Sequence, residues 1–253
     1  MIHDHLFSII TVVYNGEHLI EKTIKSVIGQ TLTSVEYIII DGESTDGTLH
    51  VINKYKDKIT YIESSEDSGV YDAMNKALFH VKGEWVLFMN AGDIFFSLKT
   101  LENVANSIGF DTSLNLVYGD VVLGDKNGKV VQAKDFNYIK FGMPFCHQSV
   151  FVRSNIFLKN NFNNYYKICA DYDFFLRLYC EGIINYKKLS FPIAVFDVNG
   201  ISYRHNVFNE YLKVVKIQYG FSAITWYHFL RSGYSNLRVS VKNKLLLLYK
   251  FLC

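Results

Sequence analysis

The chain is poor in the features that mark specialised classes of protein. Its 253 residues include four cysteines, Cys146, Cys169, Cys180 and Cys253. They stand far apart with no CxxC and no Cys/His spacing typical of zinc, which excludes a disulfide framework or a structural metal and fits free thiols in a reducing cytoplasm. There is no excess of either charge: 26 Lys and Arg face 24 Asp and Glu, for a net +2. Nothing in that balance calls for nucleic acid as a partner. No run approaches the roughly 18 to 20 apolar residues needed to cross a bilayer. The opening MIHDHLFSIITVV carries acid and histidine in place of Lys and Arg. Its apolar run from Leu6 to Val13 is short and reads as a strand, not a signal peptide, so a cytoplasmic location is expected. Internal repeats, low-complexity linkers and a GxGxxG phosphate loop are all missing from the sequence. The last absence argues against a dinucleotide oxidoreductase on an otherwise similar sheet.

What is present is apolar bulk in a regular pattern. Hydrophobic residues make up 49% and aromatic residues 16%, enough for one large domain with a sizeable core. The first ninety residues alternate between β-branched apolar runs and helical spacing. Strands are expected at 6–13, 35–41, 59–64 and 85–89, as runs buried on both faces. Between them Leu19, Ile20, Ile24, Val27 and Ile28 form one helical face, with Asn15 as its cap. Leu49, Ile52 and Tyr55 form a second, with Ser44 and Asp46 as caps, and Tyr71, Met74, Asn75 and Leu78 a third, with Ser68 as N-cap. Units of about thirty residues of this kind imply parallel strands joined by right-handed crossovers, an α/β architecture in which ligands sit beyond the carboxyl ends of the strands. Tyr14, Asn15, Asp41, Glu66, Asp67, Asn90 and Asp93 all fall at those ends. The second half predicts a hairpin over 116–132, a strand at 147–153, a helix at 169–182 ended by Gly182, and a strand at 184–196.

From about Phe208 the character changes. Apolar and aromatic residues recur at helical spacing among Lys213, Lys216, Arg231, Arg238, Lys242, Lys244 and Lys250, with Glu210 the single acid. Residues 1–207 are therefore expected to form the main domain and 208–253 a helical, basic, amphipathic extension. That extension either packs on the domain or on a second subunit, or lies on an anionic membrane surface with Trp226, Tyr227 and Phe229 at the interface.

Six segments in register carry a specific resemblance: SIITVVYNGEHLIEKTIKSVIGQT, IIIDGESTDGT, SGVYDAMNKAL, GEWVLFMNAGD, HQSVF and ADYDFFLRL. Together they resemble the family 2 glycosyltransferases over roughly residues 6–205, closest to the bacterial enzymes that build surface polysaccharides. The resemblance implies the GT-A fold, a Rossmann-like and mostly parallel central sheet flanked by helices. It further implies transfer of a sugar from a nucleotide sugar, usually a UDP-sugar, to a hydroxyl of a glycan or lipid-linked glycan, with inversion. A divalent cation, Mg2+ or Mn2+, normally bridges the donor diphosphate and the protein, and Asp93 falls at the last carboxylate of the Asp-X-Asp-like metal motif, which makes it the expected metal ligand. Thr11, Tyr14 and Asp41 match positions lining the nucleoside pocket, with Glu43 beside them. Asp67, Gly69 and Asp72 match a loop that approaches the ribose and sugar, and Asn90, His147, Gln148 and Arg204 are further donor-site candidates. Asp171 falls at the catalytic aspartate, with Asp173 in reserve. Two residues apart on a helix, these side chains diverge by about 200°, so one of them faces a cleft.

Two glycines depart from the family pattern. Gly92 stands where relatives often carry a second aspartate of the metal motif, and Gly42 where they often carry a second acid after Asp41. Magnesium tolerates a sparse protein shell because it keeps several waters and takes one or two carboxylates beside the phosphates. The eroded motif also keeps open a second class of function, a non-catalytic nucleotide-sugar-binding or scaffold subunit of a polysaccharide assembly complex.

Overall fold

The computed structural model of the chain describes residues 4–198 and 208–220. Strands β1 (His5–Val13), β2 (Val35–Asp41), β3 (Tyr61–Ser64) and β4 (Gly83–Phe88) lie side by side in the order β3-β2-β1-β4, all parallel. Helices α1 (Glu17–Ile28), α2 (Thr48–Asn53) and α3 (Val70–Leu78) form the crossovers. The strands are apolar on both faces for a physical reason visible in their period of two. Ile10, Val12, Ile38, Ile40, Val86 and Phe88 enter one core, while Phe7, Ile9, Tyr37, Ile39, Trp85 and Leu87 enter the other. Each face is roofed by helices, as a parallel sheet requires.

The chain continues through β5 (Ile94–Phe95), α4 (Thr100–Ile108), β6 (Leu116–Leu123), β7 (Val130–Val131), β8 (Val150–Arg153), α5 (Ser154–Phe157), α6 (Ala170–Cys180) and β9 (Tyr186–Phe196). Strand β8 runs antiparallel to both β4 and β6, whereas β9 runs parallel to β6, so one nine-stranded α/β sheet is parallel at one end and mixed at the other. The expected hairpin is present, with β7 reduced to two residues on β6.

Local details correct several expectations. Gly16, not Asn15, precedes α1; Asn15 has a left-handed backbone (φ 48°), and its side chain accepts from Thr45 N instead. Asp46 accepts from the first amides of both α1 and α2, at Glu17 and Thr48, while the Ser44 hydroxyl accepts from Asn15 N. Gly69 (φ 132°) takes the cap position expected for Ser68, because the chain turns there through a region closed to most side chains. His147 to Ser149 form a 3-10 turn before β8 begins. Helix α4, whose Leu101, Val104 and Ile108 face the core, was not expected at all.

Helix α7 (Phe208–Tyr219) starts where the C-terminal extension was expected and lies on α6. Val214 and Val215 are fully buried, and Tyr211 stacks on Tyr172 of α6 with ring centroids 4.4 Å apart. The rest of the expected extension, from residue 221 onward and including Trp226, Tyr227 and Phe229, lies outside the described residues. Replacing both Val214 and Val215 with Ala is expected to cost about 3–5 kcal/mol of stability through lost burial and residual cavity. Urea unfolding of the full chain measures it.

Candidate active site

The order β3-β2-β1-β4 places a topological switch beside β1, and the polar residues gather over the carboxyl ends of these strands. Two turns there are strapped together. Gly42 N donates to Val13 O (2.9 Å), Thr45 N to Asn15 Oδ1 (2.8 Å) and Gly16 N to the Thr48 hydroxyl (2.9 Å). Glu43, exposed and left-handed (φ 62°), sits on this strap. Asp41 is fully buried. Its Oδ2 accepts from Ser44 N (3.0 Å) and the Ser64 hydroxyl (2.6 Å), whereas Oδ1 is buried with no partner. A buried carboxylate oxygen without a donor is costly, and a ligand N–H or hydroxyl would satisfy it. The Tyr14 ring stands 64% exposed nearby, its Cβ over Gly42.

Thr11 does not join the crevice. It is wholly buried in β1, donating to Met89 O (2.7 Å) and meeting the Tyr37 hydroxyl (3.0 Å), so its role is to bind strands together. Asp72 is likewise committed within the protein. Its carboxylate accepts from Ser68 N (3.0 Å) and Asn164 Nδ2 (3.0 Å), and the Ser68 amide holds its pKa below the ordinary value. Asp67 accepts from Gly69 N (2.8 Å) and lies against Gly42.

Across the crevice, Asp93 is 4% exposed. Gln148 Nε2 donates to its Oδ2 and Asp197 N to its Oδ1, both at 2.9 Å. Burial pushes the Asp93 carboxyl up to about 6, and the Asp197 charge adds to this against the bonds from Asp197 N and Gln148. Asn90 Nδ2 lies 3.1 Å from His147 Nε2, and His147 Nδ1 faces Asp171 Oδ2 at 3.5 Å. With Asn90 donating, the neutral ring carries its proton on Nδ1 and presents it to the carboxylate. That orientation leaves Asn90 Oδ1 buried and without a partner.

Asp171 and Asp173 diverge as their spacing on α6 demands. Asp173 is buried, pairing with Arg177 Nε at 2.9 Å, and takes no part in the cluster. Asp171 turns to the crevice, where Oδ1 accepts from Tyr172 N (2.8 Å) and faces the Tyr71 hydroxyl (3.2 Å). Tyr71 donates to Ile168 O at 2.6 Å, and burial followed by the Asp171 charge raises its pKa well above the usual phenol value. It therefore stays a neutral donor. Glu210 of α7 completes the support, accepting from Lys167 N (2.8 Å), Ile168 N (2.8 Å) and Cys169 N (3.0 Å) just before α6. Tyr71, Asp197 and Glu210 were not singled out as site residues in the sequence; Tyr71 alone had a local signal, inside SGVYDAMNKAL. Arg204 lies outside the described residues.

Among the described residues no three His, Cys, Asp or Glu side chains form a ready-made metal cage. The donor set is nonetheless all oxygen. Each Asp93 oxygen accepts one bond and keeps a lone pair, and Asn90 Oδ1 has no partner, which fits a hard cation whose remaining ligands are phosphate and water.

Comparison with known proteins gives the family and the fold. A family model described as "Glycosyl transferase family 2" matches residues 8–185. A PGL/p-HBAD biosynthesis glycosyltransferase of Mycobacterium tuberculosis is 32% identical over 212 residues, covering 82% of this chain and 83% of the relative. The UDP-Glc:alpha-D-GlcNAc-diphosphoundecaprenol beta-1,3-glucosyltransferase WfaP of Escherichia coli is 27% identical over 216 residues, with coverage of 82% and 83%. Among solved structures, S. aureus TarS 1-349 in complex with UDP-GlcNAc superposes with a TM-score of 0.69 at 21% identity, covering 96% of this chain and 71% of that one. A mannosyltransferase from Pyrobaculum calidifontis in complex with GDP-Man and Mn2+ gives 0.62 at 16% identity, covering 97% and 81%. The two structures share the GT-A fold with this chain.

A carboxyl whose pKa is raised by folding costs stability as pH climbs from its ordinary value through about 6, and the cost is complete above that. Asp93→Asn removes the charge, and Gln148 can turn its amide to accept from the new Nδ2. In EDTA the variant is expected to melt higher than the native chain near pH 8, by about 2–4 °C per kcal/mol regained, with the difference gone below about pH 4. Thermal melts across that range measure it.

Proposed function

The chain belongs to glycosyl transferase family 2, and from that premise we propose that it is an inverting hexosyltransferase in polysaccharide biosynthesis. It moves a sugar from a UDP-sugar to a hydroxyl of a glycan or lipid-linked glycan acceptor. The observation that carries this reading is the support given to Asp171, one carboxylate turned to the crevice and held by Tyr172 N, the Tyr71 hydroxyl and His147. A binding subunit without turnover would have no use for so fixed an acid.

In the proposed reaction Asp171 takes the proton of the acceptor hydroxyl as that oxygen bonds to the anomeric carbon, and the bond to the nucleoside diphosphate breaks on the opposite face. Tyr71 and His147 orient the base. Ser64 and Ser44 fix Asp41 Oδ2, leaving Oδ1 to accept from a uracil N–H or a ribose hydroxyl, with the exposed Tyr14 ring available to cover the base. Asp93 and Asn90 Oδ1 would hold a divalent cation, Mg2+ or Mn2+, which when bound neutralises charge on the leaving diphosphate. No described helix is long and apolar enough to cross a membrane. The basic residues of 208–253 provide the proposed contact with a membrane surface near a lipid-linked acceptor.

Asp171→Asn is expected to lower transfer by about 10²–10⁴-fold, the usual contribution of a general base, while UDP affinity stays within twofold or so. Single-turnover assays with calorimetry of UDP binding check it, and retained turnover removes the assignment. Asp41→Ala, in contrast, is expected to weaken UDP binding by about tenfold or more, the equivalent of one hydrogen bond to a charged group.

A further inference from the structure

Gly92 leaves a specific gap, and the structure shows what fills it. A Cβ built on Gly92 would lie 3.3 Å from Asp197 Oδ2 and 3.4 Å from Asp197 Cβ. The space a side chain at position 92 would enter is therefore occupied by a carboxylate arriving from the end of β9. Asp197 is bound to the same place through its backbone, since its N–H donates to Asp93 Oδ1 at 2.9 Å. The glycine is constrained as well: its φ is 104°, and its N–H donates to the Thr23 hydroxyl at 3.0 Å. The same exchange occurs across the crevice, where a Cβ on Gly42 would collide with Asp67 Oδ2. In both places a glycine makes room for an aspartate that reaches the site from another loop.

The Asp197 N–H on Asp93 Oδ1 and the Asp197 carboxylate against Gly92 thus bring the two acids to one place, and the same short loop carries a buried amide oxygen without a partner, Asn90 Oδ1. Lys22 Nζ meets Asp197 Oδ2 at 2.8 Å, and its side chain is half exposed. An ammonium on a flexible stem at the surface is a counterion that can withdraw into water.

We infer that Asp197 supplies the second protein carboxylate toward the divalent cation of the donor diphosphate, in place of the side chain that Gly92 lacks, with Lys22 as its counterion when no cation is bound. The inference rests on the donor-site reading above. It assigns the ligand to the far end of the sheet, where the local sequence around Asn90-Ala91-Gly92-Asp93 offers no second acid.

The test uses the full chain, with Mn2+ titrated in the presence of saturating UDP and followed by electron paramagnetic resonance. Asp197→Asn keeps the backbone N–H bonded to Asp93 and is expected to weaken Mn2+ binding by roughly 10- to 100-fold. Its affinity for UDP in EDTA should match that of the native chain. Lys22→Met removes the competing ammonium and is expected to tighten Mn2+ binding. Should Asp197→Asn bind Mn2+ as the native chain does while Asp93→Asn has lost it, the inference falls and the cation reading at Asp93 stands. Should the native chain with UDP bind no Mn2+, both fall together. If Asp197→Asn does not fold, Lys22→Met decides alone: tighter Mn2+ binding supports the inference, and equal or weaker binding marks the pair as a structural bolt and overturns it.

Discussion

The site depends on one buried carboxylate. Asp93 joins three parts of the chain that are far apart in sequence: Gln148 at the approach to β8, Asp197 at the exit of β9, and Thr23 of α1, whose hydroxyl donates to Asp93 O at 2.8 Å. Burying a charge there is expensive, and the bonds it receives recover only part of the cost, as its raised pKa records. The compensation is positional. The crossover half of the sheet and the mixed half are registered against each other at the carboxylate, over the opening where β1 and β4 end.

On the other side of the same opening a second network holds Asp171. Asn90 leads to His147, His147 to Asp171, and Asp171 to Tyr71, so the loop after β4 that carries Asp93 also contacts the ring beside the proposed base. The two acids differ in surroundings as their proposed roles differ. Asp93 is sealed among donors, whereas Asp171 is braced on its flanks and keeps an edge toward the crevice.

The parallel half of the fold was legible because burial on both faces leaves a plain mark, runs such as SIITVV and VEYIIID bounded by polar turns. The divergence of Asp171 and Asp173 was legible in ADYDFFLRL, because helical geometry alone required that they part company. Other features left no local mark. Thr11 reads as a pocket residue in the string, yet the alternation of β1 turns it inward against Tyr37 and Met89. Caps went astray by one residue at Asn15 and Ser68 because glycine, with its wider range of φ, stood next in line. Asp197 and Glu210 act at distances in sequence that no periodicity spans, and Gly92 and Gly42 looked like losses until the acids filling their space were seen.

Glu210 lies 41 to 43 residues beyond the amides it receives. Synthesis proceeds from the N-terminus, and the strands that frame the proposed nucleoside pocket are complete long before that carboxylate leaves the ribosome. The segment ahead of α6 must wait for it with three amides unanswered. The crevice around Asp41 and the setting of Asp171 are thus separated in time as well as in sequence, the second being finished only when α7 docks.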